Sequence, residues 1–268
     1  MDEMLPQLLT EISEDEAEKY ITDDAYCAQE KLDGRNKALR CVNGEVTSAN
    51  KKGQPVPTPA AVEVEAKIKP DFIAFAEHIG DVYHVHNLTR YKGEDISKEP
   101  YTHRLAKAIM LFPYTETAIR VVETAGTTGE KRKMFNRLKK ENREGIVFKL
   151  KDAPHEVGYS EAQRKCKFWA SLTAVVFKIN QQSSIAIVLY DPKKKLWVDA
   201  SNVTVLKRGL LETIKPGDRV EIKYLYALKS SGVLYQPSPC MTGDTFKRDD
   251  VDEMECRTSQ LKFKPEEE

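Results

Sequence analysis

The chain has 268 residues, with Lys+Arg and Asp+Glu both at 42, 31% charged side chains and 40% hydrophobic ones. That suits one large or two small domains with real apolar cores, and the balanced charge gives no global field for a polyanionic partner. No leader-like segment and no apolar stretch near the roughly 18 residues of a membrane span is present, and Cys27, Cys41, Cys166, Cys240 and Cys256 are scattered without a Cys-x-x-Cys pair, so the expectation is a cytoplasmic protein with reduced thiols and no membrane partner.

In chain order, the leucines and acidic positions of residues 4–20 predict a helix. An apolar run, Ala25-Tyr26-Cys27-Ala28, predicts a strand over 25–31 that ends in the turn Lys31-Leu32-Asp33-Gly34. Asn43-Gly44 predicts a hairpin between strands at 38–42 and 45–48. Pro55, Pro57 and Pro59 precede a short helix at 60–68. Strands at 72–77 and 82–88 flank a second hairpin at Gly80-Asp81. A helix is expected over 101–112 and a strand over 119–122. Thr127-Thr128-Gly129-Glu130 is a capping box for a basic helix reaching about residue 142. A strand follows at 145–150.

Beyond about residue 168 strands dominate: 171–179, 184–190, 196–198, 219–228, 233–235 and 260–263, punctuated by Pro216-Gly217-Asp218 and Ser230-Ser231-Gly232. About five short strands and one short helix in roughly a hundred residues fit a small closed β-barrel such as an OB-fold. The expected fold is therefore an α+β domain over 1–168 followed by an OB-fold barrel over 169–268. Local charge is uneven. Lys131-Arg132-Lys133, Arg137, Lys139-Lys140 and Arg143 form one basic block, Lys193-Lys194-Lys195 another, and the tail ends in Glu266-Glu267-Glu268. Such blocks serve either as phosphate contacts or as solvated faces.

The chemistry concentrates in four places. An amine nucleophile needs a lowered pKa, from neighbouring cations or desolvation, and Arg35 and Lys37 follow Lys31 closely. Nucleotidyl transfer also needs carboxylates for a divalent cation and positive charge for phosphate oxygens. Glu144 and Lys149 bracket one strand, but they have opposite parity, so strand alternation alone does not bring both to one face. Lys165 and Lys167 do share a face, and two lysines on an otherwise apolar strand suit a polyphosphate. His84 and His86 lack a visible third metal ligand. Phe168 and Trp169 read as packing, Cys27 as a core thiol, and Asp152, Glu156 and Asp191 as loop carboxylates.

The ordered series Lys31-x-Asp33-Gly34, Glu77, Glu144-Gly145-x-Val147-x-Lys149 and Lys165-x-Lys167 resembles the covalent nucleotidyltransferases: ATP-dependent DNA ligases, RNA ligases and mRNA capping enzymes. It is most similar to the small ATP-dependent DNA ligases of phages and bacteria, across essentially the whole chain. The resemblance implies an N-terminal adenylyltransferase domain and a C-terminal OB-fold, with a hinge near 168–171. It makes Lys31 the adenylated nucleophile, within the Asp33-Gly34 turn. Gln29 takes the adenine-reading position. Ser48 and Asn50 approach the nucleotide and the 5′-phosphate strand, Glu77 holds the ribose and shares metal binding with Glu144, and His86 stacks on adenine. Lys149, Lys165 and Lys167 contact phosphates, and Arg248 orients the pyrophosphate. The implied cofactors are ATP and Mg²⁺, with Mn²⁺ as a substitute. The implied partner of this monomer is nicked double-stranded DNA, with RNA-containing duplexes as a further substrate. DNA ligases usually carry Arg five residues after the nucleophile; here that position is Asn36, as in many RNA ligases, with Arg35 just before it. His86 stands where Phe is usual, and Val251 where the last motif usually has Lys. The alternatives are an RNA ligase of the same superfamily and a nucleic-acid-binding OB protein with an inactive transferase domain.

Overall fold

The computed structural model describes residues 2–112 and 117–265; the acidic run Glu266-Glu267-Glu268 lies outside them. The chain divides into two compact units, residues 1–140 with 144–167, and residues 141–143 with 168–268. It is mostly sheet with few helices. Among the described residues no helix is long and apolar enough to cross a membrane.

The first unit holds two sheets. One contains β1 (Gln7–Ile12), β2 (Tyr26–Lys31), β10 (Thr124–Ala125), β11 (Gly145–Leu150) and β12 (Gly158–Lys167), in the order β1-β12-β11-β2-β10. The other contains β3 (Arg35–Val42), β4 (Glu45–Asn50), β5 (Pro55–Val56), β6 (Phe72–Ile79), β7 (Val82–Tyr91) and β8 (Glu94–Asp95), in the order β5-β4-β3-β6-β7-β8, with β9 (Ile119–Val121) paired to β7. Four helices complete the unit: α1 (Ala17–Thr22), α2 (Ala60–Lys67), α3 (Tyr101–Leu111) and α4 (Thr128–Lys140).

Each element has a local cause. The β3–β4 hairpin turns on Asn43 and Gly44, with φ of 51° and 75°. Two successive positive φ values match the twist of a two-residue hairpin, and Asn-Gly tolerates them best. The α4 capping box forms as the sequence predicts: the Glu130 N–H donates to Thr127 Oγ1 and the Thr127 N–H to Glu130 Oε2. On the second sheet, one face (Leu39, Phe72, Ala74, Ala76, Tyr83, Val85) packs on Val62 and Ala66 of α2 and on Leu105 and Ala108 of α3. On the first sheet, α1 and α4 cover one face, with Tyr20 stacked on Phe148 at 5.6 Å. Lys131 is fully buried there, its ammonium donating to the carbonyls of Tyr20, Asp23 and Tyr26. It braces α4 against the approach to β2 and is withdrawn from any phosphate. Arg132 pairs with Glu18, Arg137 with Glu123 and Lys139 with Glu14, so much of the basic block is matched by carboxylates of its own unit.

Residues 4–20 do not form the expected single helix. Gln7–Ile12 is strand β1, parallel to β12, and only Ala17–Thr22 is helical. The partner strand lies some 150 residues downstream, so local periodicity has no access to the pairing that fixes this segment.

The second unit is built on β13 (Ala170–Asn180), β14 (Ser184–Asp191), β15 (Leu196–Thr204), β16 (Arg219–Tyr224) and β19 (Ser238–Pro239), in the order β15-β14-β13-β16-β19. A short helix, α5 (Arg208–Leu211), follows β15. Leu172, Ile187, Val203, Val220, Ile222, Tyr224 and Phe246 fill its core. No closed barrel is seen among the described residues. The stretch 219–228 breaks at Leu225: β16 stays in the sheet, while β17 (Tyr226–Ala227) pairs with β18 (Leu234–Tyr235) in a separate ribbon. Residues 258–260 form a 3₁₀ turn, and of the strand expected at 260–263 only a single bridge, Phe263 with Ala227, is present. The Lys193–Lys195 run is a turn tip, its N–H groups at 193 and 194 donating to Asp191 Oδ1.

Candidate active site

The helix-packed face of the first sheet is balanced by one turned toward the second sheet, its residues Gln29, Lys149 and Gln163 buried, and register decides which residues it presents. Residues paired across strands point to the same side. Lys31, Gly145 and Lys167 form one cross-strand rung; Gln29, Val147 and Lys165 the next; Cys27, Lys149 and Gln163 the third. The parity problem is thereby resolved. Lys149 shares the face of Lys31, and Glu144 reaches it because it precedes the strand: its Oε1 lies 2.8 Å from Lys31 Nζ. Gly145 lets the strands close. A Cβ there would fall 2.2 Å from the Cys166 carbonyl oxygen.

The chain then crosses to the second sheet through Leu32-Asp33-Gly34. Gly34 lies against the end of β6, where a Cβ would meet the His78 carbonyl oxygen at 3.0 Å and Glu77 Cβ at 3.1 Å. The small residue is required by this backbone approach. From the second sheet come Asn36, opposite Glu77 in the β3–β6 register, and His86. A β-bulge produces the latter. Ala76 pairs with Val85 and Phe75 with Asn87, leaving His86 as the extra residue of β7. Bulges re-aim side chains in this way. Asn36 Nδ2 is 3.3 Å from Glu77 Oε1 and 3.2 Å from His86 Nε2.

Together Gln29, Lys31, Asn36, Glu77, His86 and Lys149 line a cavity of about 60 Å³ with an open side. Its charges are poorly hydrated. Burial pushes the Glu77 carboxyl up to about 7, against the pull of Lys31 and the Asn36 amide. The Glu144 carboxyl is raised by burial too, and Lys31 opposes it. Lys149, over the Tyr101 ring at 4.8 Å and donating to the His86 carbonyl at 2.8 Å, is lowered by burial to about 7. Burial also holds the His86 imidazole well below 6.5, hence neutral at physiological pH. What touches the Lys31 ammonium is a carboxylate, in contrast to the expected cations: Arg35 is exposed and lies on the opposite side of β3 from Asn36.

A pH effect follows. The Glu77 carboxyl is raised on folding, so the stability it contributes is full below pH 4.5 and is lost as pH rises through about 7. At pH 8 Glu77→Gln removes a buried charge and should stabilise the protein by roughly 1–3 kcal/mol, the gain shrinking toward pH 5. Thermal melts of both proteins at the two pH values check this; a constant offset would contradict it.

Not every expected residue enters the cavity. Ser48 lies on the helix-packed face of the second sheet, accepting from Thr58 Oγ1 and Tyr83 Oη. Asn50 organises a turn: its Oδ1 accepts from the N–H groups of Lys52 and Gln54. With Arg35, Lys37, Lys51, Lys52 and Gln54 it lines a second, basic groove that opens beside Lys31. Lys165 and Lys167 stand on the cavity-bearing face, Lys165 paired with Glu11 at 3.4 Å and Lys167 near Glu144 and Lys31. Arg248 belongs to the second unit, where Glu221 and Asp250 hold it. His84 has its imidazole lowered to about 4 by burial. Sequence reasoning missed Gln163, which strand alternation with Lys165 and Lys167 could have placed on this face. It also missed Gln7, Tyr101 and Thr124, which carry no local signal.

No family model matches the chain, and no curated protein matches it. Solved structures do. A Lig E DNA ligase aligns over 91% of this chain and 99% of its own, with a TM-score of 0.67 at 14% identity. The fold is that of the DNA ligases. A mycobacterial DNA ligase D complexed with ATP shares this ligase fold over 98% of this chain and 99% of its own, with a TM-score of 0.54 at 16% identity. The ligase domain of M. tuberculosis LigD gives 97%, 98%, 0.54 and 16%. In the ligase fold of this chain, the cavity lies between the two sheets of the first unit, at the crossing from β2 to β3.

Proposed function

We propose that this chain is an ATP-dependent ligase that seals 5′-phosphate/3′-hydroxyl nicks in duplex DNA. One observation carries the reading: in a ligase fold, Lys31 stands at a partly open polar cavity, ion-paired to Glu144, with Gln29, Asn36, Glu77 and Lys149 in its lining. The Lys31 amine, its proton released, attacks the α-phosphorus of ATP. An N–P bond forms, the bond to the bridging oxygen of the β-phosphate breaks, and pyrophosphate leaves. An oxygen of the nick's 5′-phosphate then attacks the AMP phosphorus, a P–O–P bond forms and the N–P bond to Lys31 breaks; the 3′-hydroxyl, its proton lost to solvent, attacks the 5′-phosphorus, and AMP leaves as that P–O–P bond breaks. Glu144 holds the amine, and Lys149, Lys165 and Lys167 supply positive charge for phosphate oxygens. Glu77 and Glu144 are carboxylates raised by burial, and Glu144 raises the cost of ionising Glu77, so the pair is a donor set suited to Mg²⁺. When bound, the ion would neutralise phosphate charge and polarise the α-phosphate. The second unit acts as the OB-type domain, and the chain crosses into it at Phe168.

Incubation with α-labelled ATP and Mg²⁺ should give a denaturation-stable adduct, which a nicked DNA duplex discharges with sealing. An adduct formed only from GTP, or none from any nucleotide, would overturn the reading. Asn36 supports a second one, an RNA ligase. Its amide is occupied by Glu77 and His86, so this position brings no cation to a 5′-phosphate. Equal amounts of nicked DNA and nicked RNA duplex, offered to the adenylated protein, separate the two.

The basic groove gives a further expected result. Lys51→Ala with Lys52→Ala should leave adduct formation within about twofold, while nick binding weakens by roughly tenfold and its salt dependence flattens, because those side chains meet backbone phosphates and not ATP. Gel shifts at two salt concentrations measure it, and an unchanged slope would remove the groove from the DNA path.

A further inference from the structure

Gln29 lies on the cavity floor, 1% exposed. Its amide offers two N–H donors and one acceptor oxygen. Nε2 is 2.8 Å from Tyr101 Oη and 2.8 Å from Thr124 Oγ1. A hydroxyl can donate or accept, so the neighbouring carbonyls set its role. Tyr101 donates to the His86 carbonyl at 3.0 Å, and Thr124 to the Val122 carbonyl at 3.2 Å. With both protons committed, both hydroxyl oxygens accept, and only Nε2 can face them. Turning the amide over would keep two hydrogen bonds in place of four. Among the described residues no donor reaches Gln29 Oε1, and the cavity is where a donor can be supplied.

We propose that Tyr101 and Thr124 are positioning residues that lock Gln29 as an acceptor toward the bound base, and that this lock makes the cavity select a 6-amino purine over a 6-oxo purine. The inference rests on the nucleotide-transfer reading above. A purine with an amino group at C6 donates an N–H to Oε1. A 6-oxo purine would set a second acceptor against it, leaving two lone pairs opposed in a dry site. Sites built to pair one hydrogen-bonding group reject the mismatched analogue strongly. The His86 carbonyl that anchors Tyr101 also receives Lys149, so the lock is joined to the phosphate-binding lysine through one carbonyl.

The test uses the full chain and measures adduct formation as kcat/KM with ATP, GTP and ITP. The wild type should use ATP and discriminate against GTP and ITP alike. Tyr101→Phe with Thr124→Val frees the amide, and the ATP/ITP ratio should fall by about tenfold or more. Gln29→Glu in that double variant should restore the ratio, because a carboxylate presents oxygen whichever way it turns. If the double variant does not fold, Tyr101→Phe alone should lower the ratio by about threefold. A folded variant that labels with the wild-type ratio overturns the proposal, as does a lowered ratio that Gln29→Glu leaves unrestored. Wild-type protein that forms no adduct with any nucleotide overturns the nucleotide-transfer reading itself, and this inference with it.

Discussion

Lys31→Ala should eliminate the covalent adduct, lowering labelling by at least about 10³-fold, and Lys31→Arg should fail equally. The two variants differ in what they leave behind. Arginine keeps a cation beside Glu144, whose Oε1 sits 2.8 Å from the native ammonium, so the buried carboxylate stays paired. Its guanidinium cannot lose a proton at neutral pH and is no nucleophile. Alanine leaves Glu144 buried and unpaired, which costs stability beyond the lost chemistry. The expected pattern is therefore no adduct from either variant, with the lower Tm for Lys31→Ala. Autoradiography after denaturing electrophoresis and thermal melts measure the two parts. A surviving adduct in Lys31→Arg would mean that another nucleophile carries the nucleotide. Both variants should still seal nicks adenylated in advance, because Lys31 takes no covalent part once AMP is on the 5′-phosphate.

Gly145→Ala should be among the most damaging single methyl groups that can be added to this chain. The new Cβ would lie 2.2 Å from the Cys166 carbonyl oxygen and 3.0 Å from Lys167 Cα. Both are backbone atoms, so no rotamer change relieves the clash, and β11 must separate from β12 at the rung that joins Lys31 to Lys167. The expected cost is about 3 kcal/mol or more, which lowers Tm by roughly 6–12 °C in a unit of this size. Adduct formation should fall as well, because Glu144 immediately precedes the displaced residue. Gly129→Ala is the control. It lies in α4 with nothing within 4 Å of its Cβ position, and alanine there should stabilise the helix by about 0.5–1 kcal/mol. Similar melting for the two variants would show that the β11–β12 contact yields more easily than its geometry indicates.

Gly145 and Gly34 show how unevenly site and fold are legible in the sequence. Gly145 and Gly34 could be picked out as motif residues, but their reason could not: each is small because a neighbouring strand's backbone passes against it. Residues whose roles depend on alternation or turn chemistry were readable. Asn43-Gly44, the capping box at Thr127 and the shared face of Lys165 and Lys167 follow from φ preferences and the period of two. Residues 7–12 were not, because their strand is defined by a partner far along the chain. His86 was placed on the site by its motif, yet its presentation depends on a bulge that no local pattern announces.

By itself the sequence determined the order of the chemical groups: an amine at the end of a strand, one carboxylate on a later strand and another just before a third, and lysines spaced to share a face. Short-range rules suffice there, since turn conformation and strand parity act over a few residues. Tertiary structure decided what each group meets. It set Glu144, not a cation, beside Lys31; it turned Arg35 out and Asn36 in; it moved Ser48 to the helix-packed face; and it neutralised much of the basic helix with distant carboxylates. Burial then raised Glu77 and lowered Lys149 to about 7, a consequence of desolvation that depends on which sheets close over them and is absent from any list of residues.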